Sequence, residues 1–138
     1  MNRQIKFRGK RLDNGAWVYG YLADGYYIND INAPVRTVIE VDPGTVGQFT
    51  GLLDRNGKEV YEGDVVFWIA ADMRGRGRGE QGAIFWDRHT MSWAIERDKP
   101  CVDGRPCIIS RPFDKRHLEV VGNIHDNPDL MGNEQSEI

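Results

Sequence analysis

The sequence predicts a mainly β protein, and three observations carry that prediction. Glycine is abundant, 16 of 138 residues, and spread along the chain. Each glycine inside a helix costs roughly 1 kcal/mol against alanine, which disfavours an all-α protein or a coiled coil. Short runs of β-branched and aromatic residues recur about every 8–12 residues between Gly, Asn, Asp and Pro, the punctuation of a sandwich or barrel. Finally, 40% hydrophobic and 10% aromatic residues supply a core, so the bulk of the chain is not disordered.

The elements follow in order. Gln4-Ile5-Lys6-Phe7-Arg8 alternates strictly and predicts a half-buried strand, with Ile5 and Phe7 inward and Lys6 and Arg8 outward. Asp13-Asn14-Gly15 is a turn signal before Ala16–Leu22, and Asp24-Gly25 turns the chain into Tyr26-Tyr27-Ile28. Val35–Val41, bracketed by prolines, adds a further strand. Val46–Thr50 leads to Asp54-Arg55-Asn56-Gly57-Lys58, a strong hairpin signal. Val65–Ile69 is the best buried-strand candidate. The run Met73–Gly79, in which Arg74, Arg76 and Arg78 alternate with glycines, predicts a mobile loop that folding does not require. Ala83–Trp86 and Met91–Ile95 flank a polar turn, with Met91, Trp93 and Ile95 sharing one face. Lys99–Pro112 reads as a loop and Phe113–Val120 as the one place for a helical turn. Leu118–Ile124 is the last strand.

The hairpin–loop–hairpin–strand order from Gly47 to Ile124 fits a small SH3-like barrel. The expected organisation is a small N-terminal β unit over residues 1–44, the barrel over 45–130, and a disordered tail over 131–138.

Charge narrows the partners. The net charge is −3, which argues against whole-molecule steering toward nucleic acid or anionic lipid. Five bases and no acid lie in Met1–Leu12, whereas Asp13–Asp72 holds ten acids and three bases. No apolar run approaches the roughly 20 residues that span a bilayer, and no leader follows the basic start. Two cysteines are too few for a disulfide scaffold. A cytoplasmic chain with reduced thiols and no membrane attachment is expected.

Three stretches carry a family resemblance. Val46–Val66 contains a Thr-Gly-Leu strand, an Asp-x-Asn-Gly-Lys-Glu turn and a Tyr-Glu-Gly-Asp step. Ile5-Lys6-Phe7-Arg8-Gly9-Lys10, followed by Trp17 and Tyr19-Gly20, opens the chain. Glu119-Val120-Val121-Gly122-Asn123-Ile124, with Asn127-Pro128, closes it. The sequence thereby resembles the YopX family of bacteriophage and prophage proteins. The resemblance implies a two-part, mainly β fold with an SH3-like C-terminal part, a phage or prophage origin and a bacterial cytoplasm. It brings no catalytic residue and no cofactor. His125 stands where the family more usually has an aromatic residue, and the Arg-Gly run 74–79 matches no hallmark.

Chemistry-bearing residues are sparse. A calcium loop counted from Asp54 would need Gly at position 6 and Glu at position 12, where Glu59 and Val65 stand. Glu59, Glu62 and Asp64 are carboxylates near a strand start, where Asp commonly caps backbone N–H groups. Cys101, Cys107, His117 and His125 have the count for zinc but the wrong spacing, Cys-x5-Cys and His-x7-His. Ser92 and Ser110 lie in no nucleophile elbow. No metal or other cofactor is expected.

Three functional readings follow. The first is a non-enzymatic binding module for a protein partner or a second copy, with the Tyr-rich segment Tyr19–Tyr27 as contact surface or, alternatively, as core of the N-terminal unit. The second is nucleic-acid binding through Arg74, Arg76 and Arg78, with Trp86 and Arg88, and with Trp93 and Arg97 nearby, adding stacking and charge. Three phosphate contacts would give a salt slope of only about −2 to −3. The third is a small enzyme using His89, His117 or His125 beside an acid.

Overall fold

Punctuated by turns throughout, the chain folds into strands and short turns alone over the described residues. A computed structural model describes residues 4–71, 74–109 and 117–131. They form β1 (Phe7–Lys10), β2 (Trp17–Asp24), β3 (Tyr27–Asp30), β4 (Val38–Glu40), β5 (Gly47–Leu53), β6 (Glu59–Tyr61), β7 (Asp64–Ala71), β8 (Gly77–Asp87), β9 (Ser92–Arg97), β10 (Ile108–Ile109) and β11 (Glu119–Asn123). Short 3-10 turns lie at Pro43–Thr45 and Pro128–Met131. One sheet has the order β4-β3-β2-β1-β5-β6 and the other β10-β9-β8-β7-β11. Two compact units result, residues 1–51 and 52–138. The break therefore falls later than residue 44, because Phe7 and Arg8 of β1 pair with Gln48 and Gly47 of β5.

In the first unit, Val18, Ile28 and Val41 are buried together, with Phe7, Ile39 and Val46 packed against them. Phe7 faces the core as expected, but Ile5, Lys6 and Arg8 do not keep their expected sides. Ile5 is 55% exposed, whereas Lys6 and Arg8 are 6% and 4% exposed. Aromatic rings explain this: the Lys6 ammonium lies 5.1 Å from the Phe49 ring centre and the Arg8 guanidinium 4.5 Å from that of Trp17. A ring face attracts a cation, and the aliphatic stem buries readily. The strand itself begins at Phe7, three residues later than expected from Gln4.

In the second unit, Val60, Val66, Ile84, Ile95 and Leu118 form the core, joined by Leu52, Trp68, Trp93, Ile109 and Val120. The Asn-Gly turn works through one residue: Gly57 has φ +82°, its N–H donates to the Asp54 carbonyl at 3.0 Å, and the Asp54 N–H donates to the Lys58 carbonyl at 2.7 Å. That is a type I turn ending in a left-handed glycine, one of the common hairpin connections. Only an antiparallel β architecture is seen, not the expected barrel closure. Among the described residues β10 and β11 are the two edges of an open sheet.

Two local expectations change. Strand β10 lies inside the segment read as a loop; two isoleucines flanked by prolines carry no periodicity, and pairing with Glu96 and Ile95 makes them a strand. Met91 does not share the core face with Trp93 and Ile95. It takes φ +54° in the β8–β9 turn and is 70% exposed. The expected tail, apart from Met131 in the 3-10 turn, and the helical turn before His117 lie outside the described residues.

Candidate functional site

The Arg-Gly run is not the free loop its composition suggests. Strands β7 and β8 pair from Val65↔Ala83 to Ala71↔Gly77, so the run is the end of a long hairpin, with Gly77, Arg78 and Gly79 inside β8. The glycines there make room for side chains of β7. A Cβ on Gly79 would sit 2.9 Å from Cε2 of the Phe67 ring, and one on Gly77 3.0 Å from Cγ2 of Ile69. Folding does use these glycines, which corrects the expectation.

The five residues of the nucleic-acid reading are not gathered. Arg74, Arg76 and Arg78 are exposed at one end of the β7–β8 hairpin. Trp86 and Arg88 lie at the other end of β8, eight or more residues on, a separation of about 26 Å at 3.3 Å per residue. Arg78 is also partly engaged, its Nε 3.1 Å from Glu80 Oε2. Trp93 packs against the core and meets the exposed Trp86 edge-on, centroids 5.2 Å apart and planes at 79°. Lys6 and Arg8, on the first unit, are buried.

The histidines are scattered as well. His89 sits in the β8–β9 turn, where its N–H donates to Asp87 Oδ1 at 2.9 Å. His117 and His125 lie beyond opposite ends of β11, a strand about 16 Å long. Among the described residues no three His, Cys, Asp or Glu side chains converge as metal ligands. Ser92 Oγ is 2.8 Å from Thr90 Oγ1; Ser110 lies outside the described residues. Asp64, 1% exposed, accepts the Tyr61 N–H at 2.7 Å and so caps the start of its strand. Glu59 accepts from the Tyr61 hydroxyl at 3.0 Å.

What the fold does present is a tyrosine surface on the first unit. Tyr21 of β2 stands opposite Asn29 of β3, which stands opposite Val38 of β4, so these three share one sheet face. Strand alternation adds Tyr27 to that face, while Ile28 points the other way into the core. Tyr26 occupies the β2–β3 turn, held by its N–H donating to Asp24 Oδ1 at 2.9 Å. Exposure is 51% for Tyr21, 57% for Tyr26, 37% for Tyr27 and 42% for Val38, which places them on the surface rather than in the unit's core. Strands β2, β3 and β4 contain no Lys or Arg, but the same sheet face continues onto β1, where Arg8 stands opposite Tyr19 and Lys10 opposite Trp17.

One residue escaped sequence reading. Asp54, 7% exposed, accepts from the N–H groups of Asn56 at 2.8 Å and Lys58 at 2.9 Å, and from Val120 at 2.9 Å. Burial pushes its carboxyl up, but the three backbone donors and the Lys58 charge hold it below its ordinary value. The turn half of this was readable from Asp-x-Asn-Gly; the bond to Val120, 66 residues away, had no local signal.

Comparison with known proteins agrees with this architecture. The YopX protein family matches residues 6–132, nearly the whole chain. The chain belongs to the YopX family. The fold is also similar to the crystal structure of protein EF1440 from Enterococcus faecalis, with 21% identity, a TM-score of 0.51, and coverage of 94% of this chain and 99% of that one. No curated protein matches. Seen in three dimensions, the central and terminal motifs of this YopX protein meet: Asp54 binds Val120, the Arg55 N–H donates to the Leu118 carbonyl at 2.9 Å, and the Ile124 N–H to the Gly63 carbonyl at 2.9 Å. These motif residues hold the second unit together. Among the described residues no helix is long and apolar enough to cross a membrane.

Proposed function

We propose that this YopX protein is a non-enzymatic binding module, a phage- or prophage-encoded accessory protein of the bacterial cytoplasm, whose first unit binds a protein partner or a second copy. The observation that carries the reading is the exposure of Tyr21, Tyr26 and Tyr27 at the surface of β2, β3 and their turn. Tyrosine gives large contact area at low entropic cost and is enriched at interfaces. The phage origin and compartment follow from what the family implies, and an SH3-like relationship of the second unit is part of the same reading.

The test compares the wild type with Tyr21→Ser/Tyr26→Ser/Tyr27→Ser by sedimentation velocity and by capture from host lysate on beads. At about 1 kcal/mol for each tyrosine, the triple change weakens association roughly a hundredfold. A chain with Arg74, Arg76 and Arg78 all changed to Ala retains it. Equal behaviour of the tyrosine variant and the wild type sinks the reading.

The nucleic-acid alternative is supported by the exposed hairpin end alone. Salt-titrated binding to single- and double-stranded DNA and RNA tests it; it requires low-salt binding that the triple arginine change removes. The enzyme alternative, through His89, His117 or His125, has no gathered constellation in its favour.

A further inference from the structure

The β9–β10 connection brings two thiols together. The Arg97 N–H donates to the Cys107 carbonyl at 2.8 Å, continuing the ladder that pairs Ile108 with Glu96. Within the connection, the Cys101 N–H donates to the Arg105 carbonyl at 2.8 Å and the Gly104 N–H to the Cys101 carbonyl at 2.8 Å. The backbone thus fixes where both cysteines sit. Both are free and partly exposed, and each is the largest influence on the other's acidity.

The pair is asymmetric. Arg97 Nη1 donates to Cys107 Sγ at 3.4 Å, and Arg97 Nη2 pairs with the Glu80 carboxylate, which holds the guanidinium in place. Cys101 is the largest influence lowering the Cys107 thiol below its ordinary value; burial and the Glu80 charge oppose it, and the Arg97 bond and charge assist it. Cys107, then burial, pushes Cys101 up. A more acidic thiol held beside a cation, next to a less acidic one, is the arrangement of an attacking and a resolving cysteine.

We propose that Cys101 and Cys107 form an oxidisable dithiol site for low-molecular-weight disulfides, with Cys107 the attacking thiol and Cys101 the resolving one. In the first step the Cys107 thiolate attacks one sulfur of the small disulfide. A protein–small-thiol bond forms, the small disulfide's S–S bond breaks, and one thiolate leaves with the electron pair. Cys101 then loses its proton and attacks the Cys107 sulfur, expelling the second small thiolate. The two cysteines are oxidised to one disulfide and the small disulfide is reduced to two thiols, which carry the two protons. The product ties residue 101 to residue 107 and locks the loop between β9 and β10.

Glutathione disulfide is the probe, added to the full reduced chain, with intact-mass measurement and peptide mapping. The wild type loses about 2 Da and keeps no adduct, because the second exchange is intramolecular. Cys101→Ser stops with one adduct on Cys107. Cys107→Ser gains its adduct on Cys101 about tenfold more slowly. Arg97→Gln slows the first step in the otherwise native chain. Equal rates for the two single-cysteine chains, or a wild type that carries two adducts or links chain to chain, overturns the proposal. Should Arg97→Gln fail to fold, the two cysteine variants, placed in a loop with an exposed centre, decide alone.

Discussion

Removing the Asp54 carboxylate tests the claim that the central turn is bolted to the edge strand β11. Asp54→Ala deprives three backbone N–H groups of their acceptor, those of Asn56, Lys58 and Val120. Asn56 and Lys58 are exposed, so water replaces the carboxylate there and each loss costs about 0.5–1.5 kcal/mol. The Val120 N–H sits in a strand and costs about 1–3 kcal/mol when left without an acceptor. The expected destabilisation is therefore about 2–6 kcal/mol. Asp54→Asn keeps one oxygen for the turn but sets an NH2 group against the Val120 N–H, an expected loss of about 2–3 kcal/mol. Urea unfolding followed by tryptophan fluorescence is the assay, since Trp68, Trp86 and Trp93 all lie in the second unit. The sign of the pH dependence follows from the lowered carboxyl. A carboxyl lowered by folding contributes stability that is complete above its ordinary value of 3.8 and lost as pH falls through its lower, folded value. The gap between wild type and Asp54→Ala is thus constant from neutral pH down to about pH 5 and narrows below pH 4. A difference under about 1 kcal/mol at neutral pH, or a gap that does not narrow in acid, refutes the reasoning.

Other outcomes separate close packing from conformational strain. Gly82→Ala places a Cβ 2.5 Å from the Glu96 carbonyl oxygen and from Ile95 Cγ2, and costs about 1–3 kcal/mol or more in a thermal melt. Gly75→Ala meets nothing within 4 Å but must adopt φ +78°, and costs about 1 kcal/mol. In the first unit, Gly20→Ala would set a Cβ 1.8 Å from the Asn29 carbonyl oxygen, so amide exchange in β2 and β3 accelerates to near the unfolded rate. Trp93→Ala costs about 3 kcal/mol or more in urea, because Trp93 packs on the core. Trp86→Ala, at a site 43% exposed, costs about 1 kcal/mol, close to the value of the edge-on ring contact itself. Replacing Arg74, Arg76 and Arg78 together by Ala shifts the melting midpoint little, since an exposed ion pair such as Arg78–Glu80 contributes about 0–1 kcal/mol.

Much of the fold was legible because turns and strand composition are local. Asp13-Asn14-Gly15, Asp24-Gly25 and Asn56-Gly57 mark real reversals, and the strands between them stand within a few residues of their expected places. What failed depended on partners distant in sequence. Lys6 and Arg8 read as an outward face, since nothing in Gln4–Arg8 announces that Phe49 and Trp17 will supply rings for them. Ile108-Ile109 has no period, and only β9 makes it a strand. For the candidate site, the tyrosine segment was found by composition, but whether it was core or surface depended on Ile28 and Val41 filling the interior instead.

By itself the sequence determined an antiparallel β chain of the YopX kind, because backbone conformation at glycine turns and the residue preferences of strands are set within a few neighbours. Tertiary structure alone decided which side of each strand is covered, and with it the roles. It turned the Arg-Gly run into a hairpin end whose glycines accommodate Phe67 and Ile69, parted Arg74–Arg78 from Trp86 and Arg88, and brought Cys101 to Cys107. The physical reason is the period of two: a strand offers both faces equally, and the choice between them belongs to whatever packs across from it.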